Sequence, residues 1–446
     1  MAAPLDKVPG KAWVVTFAGT AVNLCLGILY AWSVWGATLT VPKLPDGKFN
    51  EAMVGTTMTG INAGWTFLSN AQVATPFSLC VIMFALLMIP GGRIQDKYGP
   101  KVGATVGGLS LALGCIVAGL MKSYTGLIIG FGILGGIGMG IGYAAPTPAA
   151  LKWFGPHKRG LIAGLVVGGY GGAALYIAPL AKWLIADYGL SGSFIILGIV
   201  FAVIVIIAGQ LLSWPPEGYV PPAKAVAATA GAAPGRAALT LVDWPATDMV
   251  KTWQYYALVL MFIGTTQSGL LIIAFAAPLA TPLLGAAAWA LVSFGGAINA
   301  LGRVGTGMYS DKIGRGNAFT VNCVLSALCL FLMPTVIASK SVVLLFIAVG
   351  IAYWQYGGGL ALMPSFTADF FGAKNLGFNN GLVFIGWGSG FFMARLGGTI
   401  RDITGSLDWA FYLSGVVLII AVALCRLAKR PAAAGRVATV EAKAKA

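Results

Sequence analysis

Long apolar runs separated by short polar clusters govern the chain from end to end. From Thr252 to Gly302 there is no Asp, Glu, Lys, Arg or His, and Ile195 to Leu212 and Phe411 to Leu424 are almost wholly apolar. Runs of this length, without strict alternation, predict membrane-spanning helices and not barrel strands. With about 20 apolar residues per crossing, and with polar clusters and Pro/Gly pairs as turns, the pattern predicts twelve helices. Their approximate spans are 12–38, 70–92, 101–121, 125–149, 160–186, 191–214, 253–280, 283–307, 317–338, 341–366, 376–400 and 408–427. The segment 40–69, which contains LPDGKFNE, is expected to lie at the surface with one short helix.

Composition strengthens this picture. The 446 residues are 58% hydrophobic and 9% charged, with a mean hydropathy of +0.86, far from the soluble range. The expectation is an all-α integral membrane protein. A net charge of +15 raises the question of nucleic acid, but Lys and Arg fall in short clusters between apolar runs and form no single basic face. They serve better as topology signals. The six cysteines lie inside apolar segments, where a thiol acts as a small hydrophobe, so neither a disulfide nor a metal site is expected, and no cofactor. One histidine and no mid-span acid leave a membrane enzyme without a nucleophile pair, carboxylate pair or metal cluster.

Two lysines precede a first apolar segment that runs on to about Leu39 without a small-residue cleavage site, which reads as a retained first helix. An even number of spans puts both termini on one side. Lys7, Lys11, Lys97, Lys101, Lys152, Lys158, Arg159, Lys312, Arg315, Lys374 and Arg426 all fall on that side, so it is expected to be cytoplasmic, with the protein in the plasma (inner) membrane.

Residues 215–250 are rich in Pro, Ala and Gly and divide the chain. The expected organisation is a six-helix bundle over 1–214, a cytoplasmic linker over 215–250, a second six-helix bundle over 251–430 and a cytoplasmic tail over 431–446. The halves repeat at a spacing of about 217 residues: Phe154-Gly155…Gly160…Gly164 answers Phe371-Gly372…Gly377…Gly381, and Tyr170-Gly171 answers Trp387-Gly388. Gly92-Arg93-Ile94-Gln95-Asp96-Lys97-Tyr98-Gly99 between helices two and three likewise answers Gly307-Met308-Tyr309-Ser310-Asp311-Lys312-Ile313-Gly314-Arg315 between helices eight and nine.

This doubled GxxxD(K/R)xG signature, in register with twelve spans and a central linker, resembles that of the major facilitator superfamily. The resemblance implies two halves that rock around a central site and expose it alternately to either side. It also implies that Asp96, Lys97, Asp311, Lys312 and Arg315 latch the halves in the outward-facing state through bonds to helix ends.

Arg303 ends the uncharged run. It precedes Asp311 by eight residues, which at 1.5 Å per residue places it roughly 12 Å into a core about 30 Å thick. A buried cation costs several kcal/mol unless it faces a wet cavity, so Arg303 is expected to hold an anion, most simply a carboxylate gripped by two parallel hydrogen bonds. Asn299 lies one turn earlier on the same face and can share that anion. No second cation is comparably deep, which favours a monoanion. Tyr30, Tyr143, Tyr353 and Tyr356 lie within their spans, too deep for the interfacial aromatic belt, and are candidates to line the cavity.

Four patterns carry a closer resemblance: Gly27xxTyr30xTrp32-Ser33, Tyr143 followed by Trp153-Phe154…Lys158-Arg159-Gly160, Asn299xxxArg303, and Pro364-Ser365…Asp369-Phe370-Phe371-Gly372. Together they are similar to the oxalate/formate antiporter and monocarboxylate transporter group. By that resemblance Arg303 is the carboxylate-binding arginine, and Tyr30, Tyr143 and Tyr356 match cavity positions. Two departures matter. The eleventh span has no Lys from Phe378 to Ala394, where oxalate carriers use one, and Asn299 stands where animal monocarboxylate carriers have an acid.

The expectation is a secondary active transporter of small monocarboxylates of the lactate, pyruvate, acetate or formate type. A coupled proton is expected, because anion and proton together cross without net charge. The alternative is carboxylate exchange, with formate or oxalate. The expected partners are the substrate, a proton and the lipid bilayer, without nucleic acid, and the protein is expected to function as a monomer.

Overall fold

Every predicted span is a helix in the computed structural model, which describes residues 8–42, 50–154, 159–216, 219, 243–372 and 376–431. In chain order the membrane helices are α1 Gly10–Leu39, α2 Asn70–Tyr98, α3 Pro100–Met121, α4 Tyr124–Leu151, α5 159–188 and α6 190–211. The second set is α7 Trp253–Leu284, α8 Trp289–Ile313, α9 Arg315–Ala338, α10 Val342–Phe371, α11 376–404 and α12 Asp408–Leu427. The only break between α5 and α6 is Gly189, at φ 70° and ψ −179°. No strand forms among the described residues, where two isolated bridges link residues 40–68. The expected linker and tail lie mostly outside the described residues, as do Lys7, Lys158 and Lys374.

Nine stretches of the described residues are long and apolar enough to cross a membrane taken singly. The count falls short of twelve for two reasons. α5 and α6 read as one stretch, and α8 and α11 are not apolar or continuous enough to qualify. Both of those helices face the opposite half of the molecule, α8 against α5 and α11 against α2. Their polar content is what a helix needs when its buried side lines an interior site. By contrast α3, α6, α9 and α12 expose rows of large apolar side chains, such as Val106, Leu109 and Leu113 on α3 and Val321, Leu325, Leu328 and Leu332 on α9. In a bilayer such rows face lipid, where exposure of apolar surface carries no cost.

The doubled signature has a backbone reason. Gly99 joins α2 to α3 at φ 88° and ψ 163°, and Gly314 joins α8 to α9 at φ 87° and ψ 148°. This extended, positive-φ conformation is open essentially to glycine alone. The same turn therefore recurs once in each half, and it fixes the angle at which the following helix departs.

The halves meet along three helix pairs: α1 with α7, α2 with α11, and α5 with α8. We call the face that carries Gly10 and Leu427 the terminal face and the opposite one the far face. Toward the far face the halves are bonded directly. Ser293 of α8 donates to the carbonyls of Ala174 and Leu175 on α5 at 3.3 and 3.2 Å, and Ser78 of α2 donates to the Phe391 carbonyl on α11 at 3.3 Å.

Residues of the expected latch make these contacts with their own neighbours. Gln95 donates to Asp96 at 3.0 Å, the Lys97 ammonium lies 5.1 Å from the centroid of the Tyr98 ring, and Arg315 donates to Ser310. Lys312 is exposed, and the Asp311 side chain lies outside the described residues.

Candidate functional site

α8 is turned by its own neutral network. Thr306 and Tyr309 on α8 share hydrogen bonds with Asn322 of α9, which donates to Thr306 at 3.1 Å and accepts from Tyr309. Behind it, Asn299 is pressed so closely on α10 that a Cβ at Gly357 would stand 2.3 Å from the Asn299 carbonyl oxygen. These contacts fix the rotation of α8 within its half. Arg303, on the same helix, then points away from that half and toward α1, α4 and α5.

There Arg303 is buried, 7% exposed. It donates from Nε to Asn299 Oδ1 at 3.1 Å and from Nη2 to the Tyr30 hydroxyl at 3.1 Å. The Tyr143 hydroxyl of α4 meets the same guanidinium. Every one of these partners is neutral. The chain of contacts continues from the Tyr30 hydroxyl to that of Tyr356 on α10 at 3.0 Å, and the Trp387 indole of α11 donates to Tyr356 at 2.8 Å. Four of the predicted residues, Asn299, Tyr30, Tyr143 and Tyr356, are thus brought to Arg303 or its immediate partner, from both halves.

Tyr353 takes a different seat. Its ring packs on Gly295 of α8, where a Cβ would come within 2.5 Å of the ring, and its buried hydroxyl has no hydrogen-bond partner. The Asn299 amide nitrogen is buried without a partner as well. Unpaired buried donors of this kind are costly, and a ligand that accepts hydrogen bonds removes the cost.

Three residues around the site were not singled out as binding residues by the sequence. Tyr170 sets its ring edge-on to Tyr30 and Tyr143, with centroids 5.2 and 5.0 Å apart. Phe84 of α2 packs on Tyr143 at 5.4 Å and on Trp387 at 4.8 Å. The signal for two of them was present: Tyr170 and Trp387 are the aromatic members of the matched pairs Tyr170-Gly171 and Trp387-Gly388. Each glycine admits the other half. A Cβ on Gly171 would stand 3.0 Å from Arg303 Nε, and one on Gly388 would stand 2.3 Å from the Ala85 Cβ. The repeat therefore places an aromatic ring in the centre and a close contact beside it, once from α5 and once from α11.

α1 makes a local adjustment to reach the same centre. It winds as a tighter 3-10 helix from Gly27 to Ala31, a form often found where a helix is shaped for function. Gly27 lies against α5, where a Cβ would approach the Tyr170 carbonyl oxygen to 2.5 Å. Tyr30 follows one turn later and is fully buried. The arrangement is a cluster of packed aromatic rings with one buried cation at its centre.

Comparison with known proteins places the fold in a family. The family profile of the Major Facilitator Superfamily matches residues 12–393. The oxalate:formate antiporter of Oxalobacter formigenes is 29% identical over 388 residues, covering 82% of this chain and 87% of that protein. Monocarboxylate transporter 13 of Rattus norvegicus is 27% identical over 332 residues, 74% of this chain and 73% of its own. Among solved structures, a partially occluded inward-open conformation of the xylose transporter XylE from E. coli superposes with a TM-score of 0.66 at 12% identity, covering 93% of this chain and 98% of that one. With twelve helices in two repeated halves and a family match over most of its length, the chain belongs to the Major Facilitator Superfamily and is a transporter, not an enzyme.

Proposed function

We propose that this protein is a secondary active transporter of small monocarboxylates of the lactate, pyruvate, acetate or formate type. The observation that carries the proposal is the state of Arg303: a residue 7% exposed, held among the described residues by neutral groups, beside the unpaired amide nitrogen of Asn299. A carboxylate supplies the missing charge to the first and an acceptor to the second. The absence of Lys from Phe378 to Ala394 of α11 leaves nothing comparable to hold a second carboxylate. The aromatic walls accept a short apolar remainder. Tyr353, with its unpaired hydroxyl on α10, is the candidate to reach the substrate's far oxygen.

On this reading the terminal face is cytoplasmic, in the plasma membrane, and the protein works as a monomer. Substrate enters with a proton, because the pair then moves without net charge. The signature residues Asp96, Lys97, Asp311, Lys312 and Arg315 hold the opposite, outward-facing state.

Exchange of anions is a second reading, and the neutrality of Arg303's partners favours it. A carrier with an unneutralised buried cation returns empty only at a cost, whereas one loaded with another anion does not. In proteoliposomes, uptake of labelled lactate, pyruvate, acetate and formate is measured with and without an inward proton gradient, and with and without internal anion. Stimulation by the proton gradient supports symport, and uptake that needs internal anion but ignores pH supports exchange. Arg303→Ala is expected to reduce either activity at least a hundredfold. Normal uptake of all four anions by that variant would sink the carboxylate reading itself.

A further inference from the structure

The first turn of α2 is capped from two directions. Ser69 accepts from the Gln72 amide at 3.1 Å while Gln72 Oε1 accepts from the Ser69 amide at 2.9 Å, and the Val73 amide bonds to the Ser69 carbonyl at 2.9 Å. This is a capping box, and it lies wholly within the first half. The two remaining amides go elsewhere. Asn70 N–H donates to Asp402 Oδ1 at 2.9 Å and Ala71 N–H donates to Asp402 Oδ2 at 2.8 Å. The Asn70 side-chain amide adds a third bond to Oδ1 at 2.8 Å. Asp402 belongs to the last turn of α11, in the second half.

We propose that Asp402 is a gating residue of the transport cycle, clamping α11 onto the start of α2 and so holding the halves together at the far face. Three charge-assisted bonds converge on one carboxylate, and the positive end of the α2 dipole adds to them. All three cross from one half to the other. When the halves part, the capping box still covers Gln72 and Val73, so α2 keeps its end and only two backbone amides pass to water. A contact of this kind is reversible, unlike a core contact, because nothing inside either half depends on it.

Neighbouring residues serve the clamp. Gly398, one turn before Asp402, lets α11 close on the same turn of α2: a Cβ there would stand 2.8 Å from both Ala71 Cα and the Asn70 carbonyl oxygen. The neighbouring Arg401 attracts Asp402 through space without a hydrogen bond to it. The Arg401 guanidinium lies 5.8 Å from the centroid of the Phe275 ring on α7, and Arg395 donates to Thr399 at 2.8 Å on its own helix. The hydrogen bonds of the carboxylate go to α2. Further inside, Ser78 of α2 donates to the Phe391 carbonyl of α11 and is buried by that contact.

Ser78 supplies the test. The nearly isosteric S78C places a thiol between α2 and α11, reached only when the far side opens. Purified protein in lipid nanodiscs, which leave both faces accessible, is treated with a charged thiol reagent. Modification of the peptide containing residue 78 is followed by mass spectrometry, which separates it from the native cysteines. Adding Asp402→Asn, which keeps the size but loses the charge, is expected to speed modification about tenfold, the effect of weakening a charge-assisted cluster in a two-state equilibrium. Gly398→Ala, which pries the same contact without touching the carboxylate, is expected to do likewise. Asp402→Glu is expected to restore part of the protection. Equal rates in S78C with and without both substitutions would overturn the proposal. So would equal acceleration by Asp402→Glu and Asp402→Asn, since that marks mere disturbance of the helix end. The clamp depends on rocking halves and not on which anion is carried, so failure of the monocarboxylate assays leaves this measurement decisive.

Discussion

Arg303 is where the chemistry of the molecule is concentrated, and its environment is set by residues that are not charged at all. Gly171 lies against the guanidinium with room for a hydrogen and no more, since a Cβ would stand 3.0 Å from Nε and 3.3 Å from Cζ. Gly171→Ala is therefore expected to displace the flexible end of Arg303 by a few tenths of an ångström without unfolding the protein. Substrate affinity falls about three- to tenfold in consequence, because a misplaced binding group loses much of its hold. The check is the KM for uptake, with size-exclusion elution as the control. An unchanged KM would remove Arg303 from the binding site. Asn299 was legible from the sequence because a spacing of four on one helix needs no knowledge of the fold. Tyr170 and Trp387 were marked only as matched members of the repeat, and Phe84 not at all, because which side of α5, α11 and α2 faces the centre is settled by packing with other helices.

At the scale of elements, the doubled glycine turn explains why the signature recurs. Gly99 and Gly314 adopt almost the same positive-φ, extended backbone at equivalent joints. Replacing either with alanine imposes a strained conformation costing about 1–3 kcal/mol. A lowered unfolding temperature is expected for Gly99→Ala and Gly314→Ala alike, measured by the thermal reaction of buried thiols. Gly10, a glycine without a positive φ and with nothing within 4 Å of its Cβ position, is the control and is expected to tolerate alanine. α8 and α11 teach a related point. Each alternates between serving the bundle and serving the site, and each therefore fails a test of apolarity that its neighbours pass. The repeat revealed them in the sequence, where hydropathy alone placed their spans without saying what their polar residues face.

Across the whole molecule, two sixfold sets of helices meet along α1–α7, α2–α11 and α5–α8 and share one aromatic centre. An even number of crossings returns the chain to the face from which it started. Fusions of a cytoplasm-dependent fluorescent protein at either terminus are expected to fluoresce, and periplasm-dependent phosphatase fusions at the same points to stay inactive. A mixed result would overturn the orientation assigned from the lysine and arginine clusters. The far-face clamp belongs to this scale also. Asp402 and Asn70 are 332 residues apart in sequence, and only the folded chain brings them together.

The sequence by itself determined the helical elements and the family, and it pointed to an internal repeat and to one arginine within a span. These follow from local quantities: the length of apolar runs that a bilayer demands, the spacing along a helix, and the backbone that glycine alone permits. Only the tertiary structure decided that Tyr30 and Tyr143 meet Arg303 from the other half, that Tyr170 and Trp387 wall the centre, and that Asp402 caps a helix it never touches in sequence. Those facts depend on how helices are rotated about their own axes against one another. Rotation is fixed by close contacts such as Gly27 on Tyr170 and Gly357 on Asn299, and those contacts exist only once both helices are in place.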